Sequence, residues 1–490
     1  MSADTGAGKN AEGLAALEAR ARRDLQSLNY PPADWVPQSK GPDGAAVIDV
    51  LVIGAGMCGQ TAAYALLREG VRKLRIIDRE PAGSEGPWGT FARMPTLRSP
   101  KHLTGPDLGV PSLTFRAWYE AQHGAAGWEK LYKIDRLDWL AYLLWVRGVL
   151  ALPVENGTEL LKLEPAEGLL RAQLRRAGKT ETLYARKAVL ALGREGSGAR
   201  RWPRFPSFDP ATSAARARVF HSADAIDFAA LKGKAVGVLG AGASAFDNAG
   251  TALEAGAATV ALYARRPVLP QVNRPKWASF PGFMHGFVAL DDATRWKFFT
   301  AMMEPQVPPP HESVLRCDAH ANFRLRLGAP WLDLRPDAQG VTVSTPQGEM
   351  RFDAVVIATG FDVDLLARAE IAAFSPHALT WGERVAADDA ARFPEEARFP
   401  WLGEAFEMRE RRPGDCPALA HLHAFNWGAT ISHGALAGDI PGLGIGAGRL
   451  ARGIARSLFV MDADQHYAAM LAFDEHELKP TRYYVPGAGS

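Results

Sequence analysis

The sequence predicts an α/β fold in which one parallel-sheet unit is inserted into another, behind a helical N-terminal extension, and three observations predict it. A strand–glycine–helix–strand pattern over residues 48–77 recurs over residues 235–263. Two more short apolar runs, at 188–192 and 354–357, end in glycine and bracket the second pattern. At 490 residues, with 47% hydrophobic and 22% charged side chains, the chain has the length for two or three domains and the composition to bury their cores.

Each element has a local cause. Residues 1–10 are small and polar and are expected to be mobile. From 11 to 29, Leu14, Leu17, Leu25 and Leu28 recur at helical spacing, which predicts a helix packed on the body of the protein. Pro31 and Pro32 stop it, and 38–44 reads as a linker. Residues 48–53 (IDVLVI) form the nearly continuous apolar run of a strand covered on both faces. Glycines, a helix at 60–69 and a strand at 74–77 follow. In the second unit, 235–239 (AVGVL) leads through glycines to a helix at 244–255 and a strand at 259–263. The expected domains are an extension and linker at 1–47, a first nucleotide-binding part at 48–195, an inserted unit at 196–355, and the return of the first domain with a C-terminal segment at 356–490. The chain crosses between them at Gly193 and near Gly360, and the proline-rich stretch 305–310 is a loop inside the insertion.

The two glycine turns carry the chemistry. Gly54-Ala55-Gly56-Met-Cys-Gly59 matches G-x-G-x-x-G between a strand and a helix. The first glycine permits the turn, the second lets the backbone approach a pyrophosphate, and the third lets helix and strand pack closely. The free N–H groups at the helix start then favour phosphate. Asp78 ends the second strand 19 residues after Gly59, near the spacing of a carboxylate that bonds a ribose hydroxyl, with Arg79 beside it. The second turn reads Gly240-Ala-Gly242-Ala243-Ser244-Ala245, and Arg265-Arg266 stand where the first unit has its acid. An acid there repels a 2′-phosphate, whereas a guanidinium holds it through paired hydrogen bonds. Both units are therefore read as Rossmann-like dinucleotide-binding domains, the second with a preference for NADPH.

In this arrangement the sequence resembles the class B flavin-dependent monooxygenases, which comprise flavin-containing and Baeyer–Villiger monooxygenases. The resemblance covers residues 48–361 and rests on GAGMCG, GPWG at 86–89, FHSAD at 220–224, GAGASAFD at 240–247 and VVIATGFD at 355–362, in that order. It implies FAD on the first unit, held by Gly54, Ala55, Gly56, Gly59, Asp78 and Arg79 with Trp88 near the flavin. It implies NADPH on the second, held by Gly240, Gly242, Ala243, Ser244, Arg265 and Arg266, with Thr359 and Gly360 at a crossover. The family chemistry it implies is hydride transfer to FAD, then a flavin hydroperoxide that oxygenates nitrogen or sulfur of a small organic substrate. Two features depart from the family. The F-x-G-x-x-x-H-x-x-x-W/Y stretch keeps His221 but has Ala215, Ala217 and Ala225 elsewhere, which demotes Baeyer–Villiger chemistry. Arg98 stands where flavin-containing monooxygenases place an asparagine.

Arg98 is accordingly the first catalytic candidate, with Asn273 and Asn426 behind it and Lys101 weaker still. His102, His285 and His433 read as ordinary surface or core histidines, and Trp296, Phe298, Phe299, Met302 and Met303 as core or pocket wall. The segment 421–446 either completes the flavin pocket or makes tight turns. The alternatives are an NADPH-dependent reductase or oxidase without oxygen insertion, and a nucleotide-binding redox sensor. A formal charge of +2 disfavours nucleic acid as partner, and Arg200-Arg201 and 409–412 read as solvated faces. Cys58, Cys317 and Cys416 form no CxxC pair, so no disulfide, dithiol or metal centre is expected. The most apolar stretch, 139–153, is broken by Arg147 and Gly148, so no stable membrane insertion is expected. The expectation is a cytoplasmic enzyme, free to form a homo-oligomer, whose partners are a small molecule and molecular oxygen.

Overall fold

The computed structural model describes residues 11–102, 105–212, 216–478 and 481–483. The expectation for residues 1–10, and Ala215, lie outside the described residues. Helix α1 (Ala11–Ser27) buries Leu17, Ala21 and Leu25 in the main core. Leu28, expected on the same face, falls beyond the helix end and is 57% exposed. The polar stretch that follows leads into β1 (Val47–Ile53), α2 (Met57–Arg68) and β2 (Leu74–Asp78). Helices α3 (Phe115–Lys130) and α4 (Arg136–Val149) come next; Thr114 caps the first through the Ala117 N–H, and Asp135 caps the second through Leu137 N–H at 2.7 Å.

The first sheet has the order β3-β2-β1-β6-β5-β4, with β3 at Val154–Asn156, β4 at Thr158–Ala166, β5 at Leu169–Arg176 and β6 at Lys179–Leu190. β1, β2, β3 and β6 run parallel, while β4, β5 and the start of β6 form an antiparallel meander. The strand expected at 188–192 is thus only the buried end of β6. Its first residues are polar and exposed, so the apolar pattern shows only where β1 covers it.

The chain then crosses through β7 (Gly198–Arg200) into the second unit. There β8 (Val219–His221), β9 (Ala235–Leu239), helix α5 (Ala243–Glu254) and β10 (Thr259–Tyr263) are followed by α6 (Asp292–Met303), α7 (His311–Asp318) and β11 (Phe323–Arg326). A three-stranded antiparallel sheet, β12 (Asp333–Pro336), β13 (Val341–Thr345) and β14 (Gly348–Phe352), precedes β15 (Ala354–Ile357). The second sheet is all parallel in the order β11-β10-β9-β15-β8. Because β15 pairs with β9 and β8, a boundary at 355/356 would cut a strand of the inserted unit; the break falls at Gly360, whose φ of +87° suits glycine.

The return strand β16 (Phe361–Val363) pairs antiparallel with β7, so the two crossings form one ribbon. Arg200 and Arg201, read as a solvated face, are ion-paired here: Arg200 with Asp224 and with Glu195 at 3.2 Å, Arg201 with Asp362 at 2.8 Å and Glu395 at 2.6 Å. After a series of short turns β17 (Leu422–His423) joins β6, and the 22-residue helix α8 (Ile440–Met461) closes the first core against α2. No described helix is long and apolar enough to cross a membrane. All three cysteines are free and buried.

Candidate functional site

At the first turn, the glycines have different jobs. Gly54 has φ +98°, and a Cβ on it would meet the Ala191 carbonyl oxygen at 2.5 Å. A Cβ on Gly59 would lie 1.8 Å from the Gly54 carbonyl oxygen, so helix and strand can pack only over a glycine. Gly56 is different. Its φ is −66°, and a Cβ would meet nothing closer than Gly86 Cα at 3.7 Å. Nothing in the protein's own packing demands a glycine there; the space lies at the start of α2, where backbone N–H groups are unpaired by helix geometry. The second turn repeats the contrast: a Cβ on Gly240 would meet the Ala358 carbonyl oxygen at 2.4 Å, and one on Gly242 would meet nothing within 4 Å. Each turn therefore has one glycine that leaves an open cradle at a helix N-terminus, a fit for a dinucleotide pyrophosphate.

The flanking residues are placed unevenly. The Asp78 carboxylate accepts the Ala55 N–H at 2.8 Å and the Glu80 N–H at 2.9 Å, so it braces the glycine turn. Burial raises its pKa, opposed by those two N–H bonds. Arg79 points away, exposed and paired with Glu80. Trp88 packs edge-on against Trp139, with its ring N–H buried and unpartnered, and its carbonyl accepts Arg136 at 2.5 Å. Buried Glu85 fixes this loop: it accepts the Gly83 N–H, Arg147 and Asn156, each within 2.7 Å.

In the second unit Arg265 and Arg266 follow β10, next to the Gly240 turn, whose N–H donates to the Tyr263 carbonyl at 2.9 Å. Arg265 is exposed, while Arg266 bonds Gln306. Ala243 opens α5 and Ser244 is exposed in its first turn. Thr359 donates to the Arg201 carbonyl, and the Gly360 carbonyl accepts the Arg201 N–H, which ties both to the crossing ribbon. His221 belongs to the same joint. Its Nδ1 accepts the Ala223 N–H, so its Nε2–H donates to the Gly360 carbonyl at 3.1 Å. Burial holds this imidazole near pKa 4, that is, neutral.

The catalytic candidates part company. Arg98 is half-exposed and reaches across to the second unit, donating to buried Asp247 on α5 at 3.0 Å. Asp247 also accepts the Ser313 hydroxyl at 2.6 Å. Asn426 is 3% exposed and structurally committed: its amide donates to the Leu190 carbonyl, and its oxygen accepts Ser197 and the Gly428 N–H. It braces the end of β6 rather than presenting a free amide, which corrects its expected role. Asn273 is exposed ahead of the turn Arg274–Ala278 and joins neither Arg98 nor Asn426 in any contact. Lys101 donates to the Trp128 carbonyl, and His433 is a core histidine stacked on Phe406. Trp296 and Phe299 are core against Trp381 and Phe399, whereas Phe298 joins a partly exposed aromatic cluster with Trp277 and Phe283.

The segment 421–446 lies against the first turn of α2. The Cys58 thiol, pushed up to about pKa 12 by burial, donates to the Ala437 carbonyl. Three residues that sequence reasoning missed stand here. Arg194, one residue past the crossing at Gly193, lies 3.8 Å from the centroid of the Trp427 ring. Asp439 precedes α8. Arg194 and Asp439 are both open to solvent, yet desolvation by the surrounding protein is the largest influence on each, lowering the guanidinium's pKa and raising the carboxyl's. Each also feels the charge of the other and of Arg98. The sequence signals were a glycine-ended strand before Arg194 and the segment 421–446, which contains Trp427 and Asp439 without singling them out.

Comparison with known proteins follows the same lines. Residues 48–280 match the family model of pyridine nucleotide-disulphide oxidoreductases. The chain is 44% identical over 466 residues to an FAD-dependent urate hydroxylase of Xanthomonas campestris pv. campestris, covering 95% of this chain and 97% of that one. Among solved structures, an ornithine hydroxylase of Pseudomonas aeruginosa superposes with TM-score 0.65 at 16% identity, over 84% of this chain and 100% of its own. An ornithine N-hydroxylase of Kutzneria sp. 744, with reduced FAD, NADP+ and L-ornithine, gives 0.64 at 15% identity, over 84% and 99%.

Proposed function

The chain belongs to the class B flavin-dependent monooxygenases, and from that premise we propose that it holds FAD on the Gly54–Gly59 turn and NADPH on the Gly240–Ala245 turn to hydroxylate a small planar purine of the urate type. The observation that carries the cofactor reading is the pair of open cradles at Gly56 and Gly242, the one glycine in each turn that packing does not require. The full-length similarity to a urate hydroxylase directs the substrate class.

When bound, NADPH supplies the hydride and FAD the site at which oxygen is activated. The residues of this chain supply the rest. Gly56 and Gly242 let backbone N–H groups reach the pyrophosphates, and Asp78 fixes the first turn through the Ala55 N–H. Arg265 offers an exposed guanidinium to a 2′-phosphate, with Arg266 beside it. The loop 86–98 touches Gly56 at one end and Asp247 at the other, so Arg98 stands where the two units meet. With both cofactors bound, a cation at that junction would offset negative charge developing beside it.

The test is NADPH consumption and hydroxylated product measured with urate, xanthine, primary amines and sulfides. Urate is expected to give product in proportion to NADPH. Turnover of amines or sulfides, with none of urate, would overturn the substrate reading in favour of nitrogen or sulfur oxygenation. NADPH oxidation with no oxygenated product from any of them would favour a reductase or oxidase.

A further inference from the structure

Arg194 is a cation stacked on an aromatic ring beside the crossing between the two units. The carbon of its guanidinium sits over the Trp427 ring, 3.8 Å from the centroid, and the residue is open to solvent. Among the described residues this guanidinium has no hydrogen-bond acceptor and no ion-pair partner. The neighbouring arginines are engaged: Arg98 with Asp247, Arg200 with Asp224, Arg201 with Asp362. Stacking on an indole fixes the plane of a guanidinium through its ring attraction while leaving the edge N–H groups free. A fixed row of donors matches adjacent oxygen and nitrogen acceptors in one plane, which a conjugated anion presents and an alkyl amine or sulfide does not.

We propose that Arg194, held on Trp427, is the substrate-recognition residue, and that it takes a planar, conjugated anion of the deprotonated-lactam class through paired N–H contacts along its edge. This deepens the reading of the chain as a hydroxylase of urate-type purines and rests on it. Two further features support it. Partial desolvation of Arg194 by the surrounding protein strengthens a charge-assisted bond formed there. Among the described residues, Asp439 is the carboxylate whose charge acts on Arg194, and it supplies an acceptor for a ring N–H, which such purine anions carry beside their own acceptors.

The experiment uses the FAD-loaded enzyme and its Arg194→Ala and Arg194→Lys variants. Equilibrium dialysis, without NADPH, measures binding of urate and xanthine, each against its fully N-methylated neutral counterpart, and of orotate against neutral uracil. Steady-state assays give KM for substrate and for NADPH separately, and visible absorbance gives flavin content. Arg194→Ala is expected to weaken anion binding roughly ten- to a hundredfold, as removal of a charge-assisted hydrogen bond does, with flavin content and NADPH KM unchanged. Arg194→Lys keeps the charge but not the planar edge, so it is expected to recover only part. Unchanged anion affinity in a flavin-loaded Arg194→Ala enzyme would overturn the proposal, as would a loss confined to NADPH or FAD. If the wild type binds another planar anion through Arg194 but neither binds nor turns over urate, the recognition role stands and the urate reading fails. If it binds none of the anions, both fail.

Discussion

Replacing Gly56 with valine separates ligand space from packing space. The residue has ordinary extended geometry, φ −66° and ψ −173°, and a Cβ there stays 3.7 Å from its nearest neighbour. An apolar side chain at this N-cap position costs the apo protein only about 1 kcal/mol, the difference between glycine and a poor cap. The same side chain occupies the space through which a pyrophosphate must approach. Each charge-assisted hydrogen bond it prevents is worth roughly 1.5–3 kcal/mol, a ten- to hundredfold weakening of FAD affinity or more. Gly59→Ala is the opposite case. Its Cβ would sit 1.8 Å from the Gly54 oxygen, so β1 and α2 must move apart, an overpacking cost of about 1–3 kcal/mol. Flavin-to-protein ratio by visible absorbance, with thermal unfolding of flavin-stripped protein, distinguishes the two. Gly56→Val should lose flavin and lower its apo midpoint only slightly; Gly59→Ala should lower the apo midpoint more. Full flavin occupancy in Gly56→Val would mean that the cradle holds no pyrophosphate, and an apo midpoint lowered as far as that of Gly59→Ala would show that Gly56 serves packing.

Three further outcomes are expected. Arg265→Ala/Arg266→Ala should lose roughly ten- to a hundredfold in kcat/KM for NADPH and leave NADH almost unaffected, measured side by side; equal losses would make the arginines structural. Arg98→Ala should bind FAD and accept electrons from NADPH normally, while hydrogen peroxide released per NADPH rises and product falls. The half-exposed pair with Asp247 contributes no more than about 1 kcal/mol of stability, and if Asp247→Asn uncouples equally, Arg98 acts through that pair. His221, His423 and His433 are buried and neutral, held by burial near pKa 4, 3 and 3 against an ordinary value of 6.5. A depressed histidine pKa stabilises the fold above the unfolded value and loses that contribution as pH falls. Their contribution should therefore be level above pH 6.5 and drop toward pH 4, at up to about 1.4 kcal/mol per pH unit for each group; a urea midpoint unchanged between neutral pH and about pH 5 would contradict this.

The parallel strands were legible because burial on both faces leaves an unbroken apolar run: 235–239 and 259–263 match β9 and β10, and 354–357 matches β15. The meander of β4, β5 and β6 was not, since strands such as Leu169–Arg176 carry charge on their open face and look like any polar stretch. In the candidate site, the glycine turns could be read because their conformation depends on the absent side chain itself. Arg194, Trp427 and Asp439 could not, because only the crossing at Gly193 and the return of the chain at 422–440 bring them together. Asn426 was misread because an asparagine serving as a brace and one serving a cofactor look the same in sequence; only its bonds to Leu190, Ser197 and Gly428 tell them apart.

Whether this chain inserts oxygen using FAD and NADPH is decided by turnover of the purified enzyme with urate under isotopically labelled oxygen. One labelled oxygen atom is expected in the product for each NADPH consumed. Product without label, or NADPH oxidised with all of the labelled oxygen recovered as hydrogen peroxide, would contradict a monooxygenase built on these two turns.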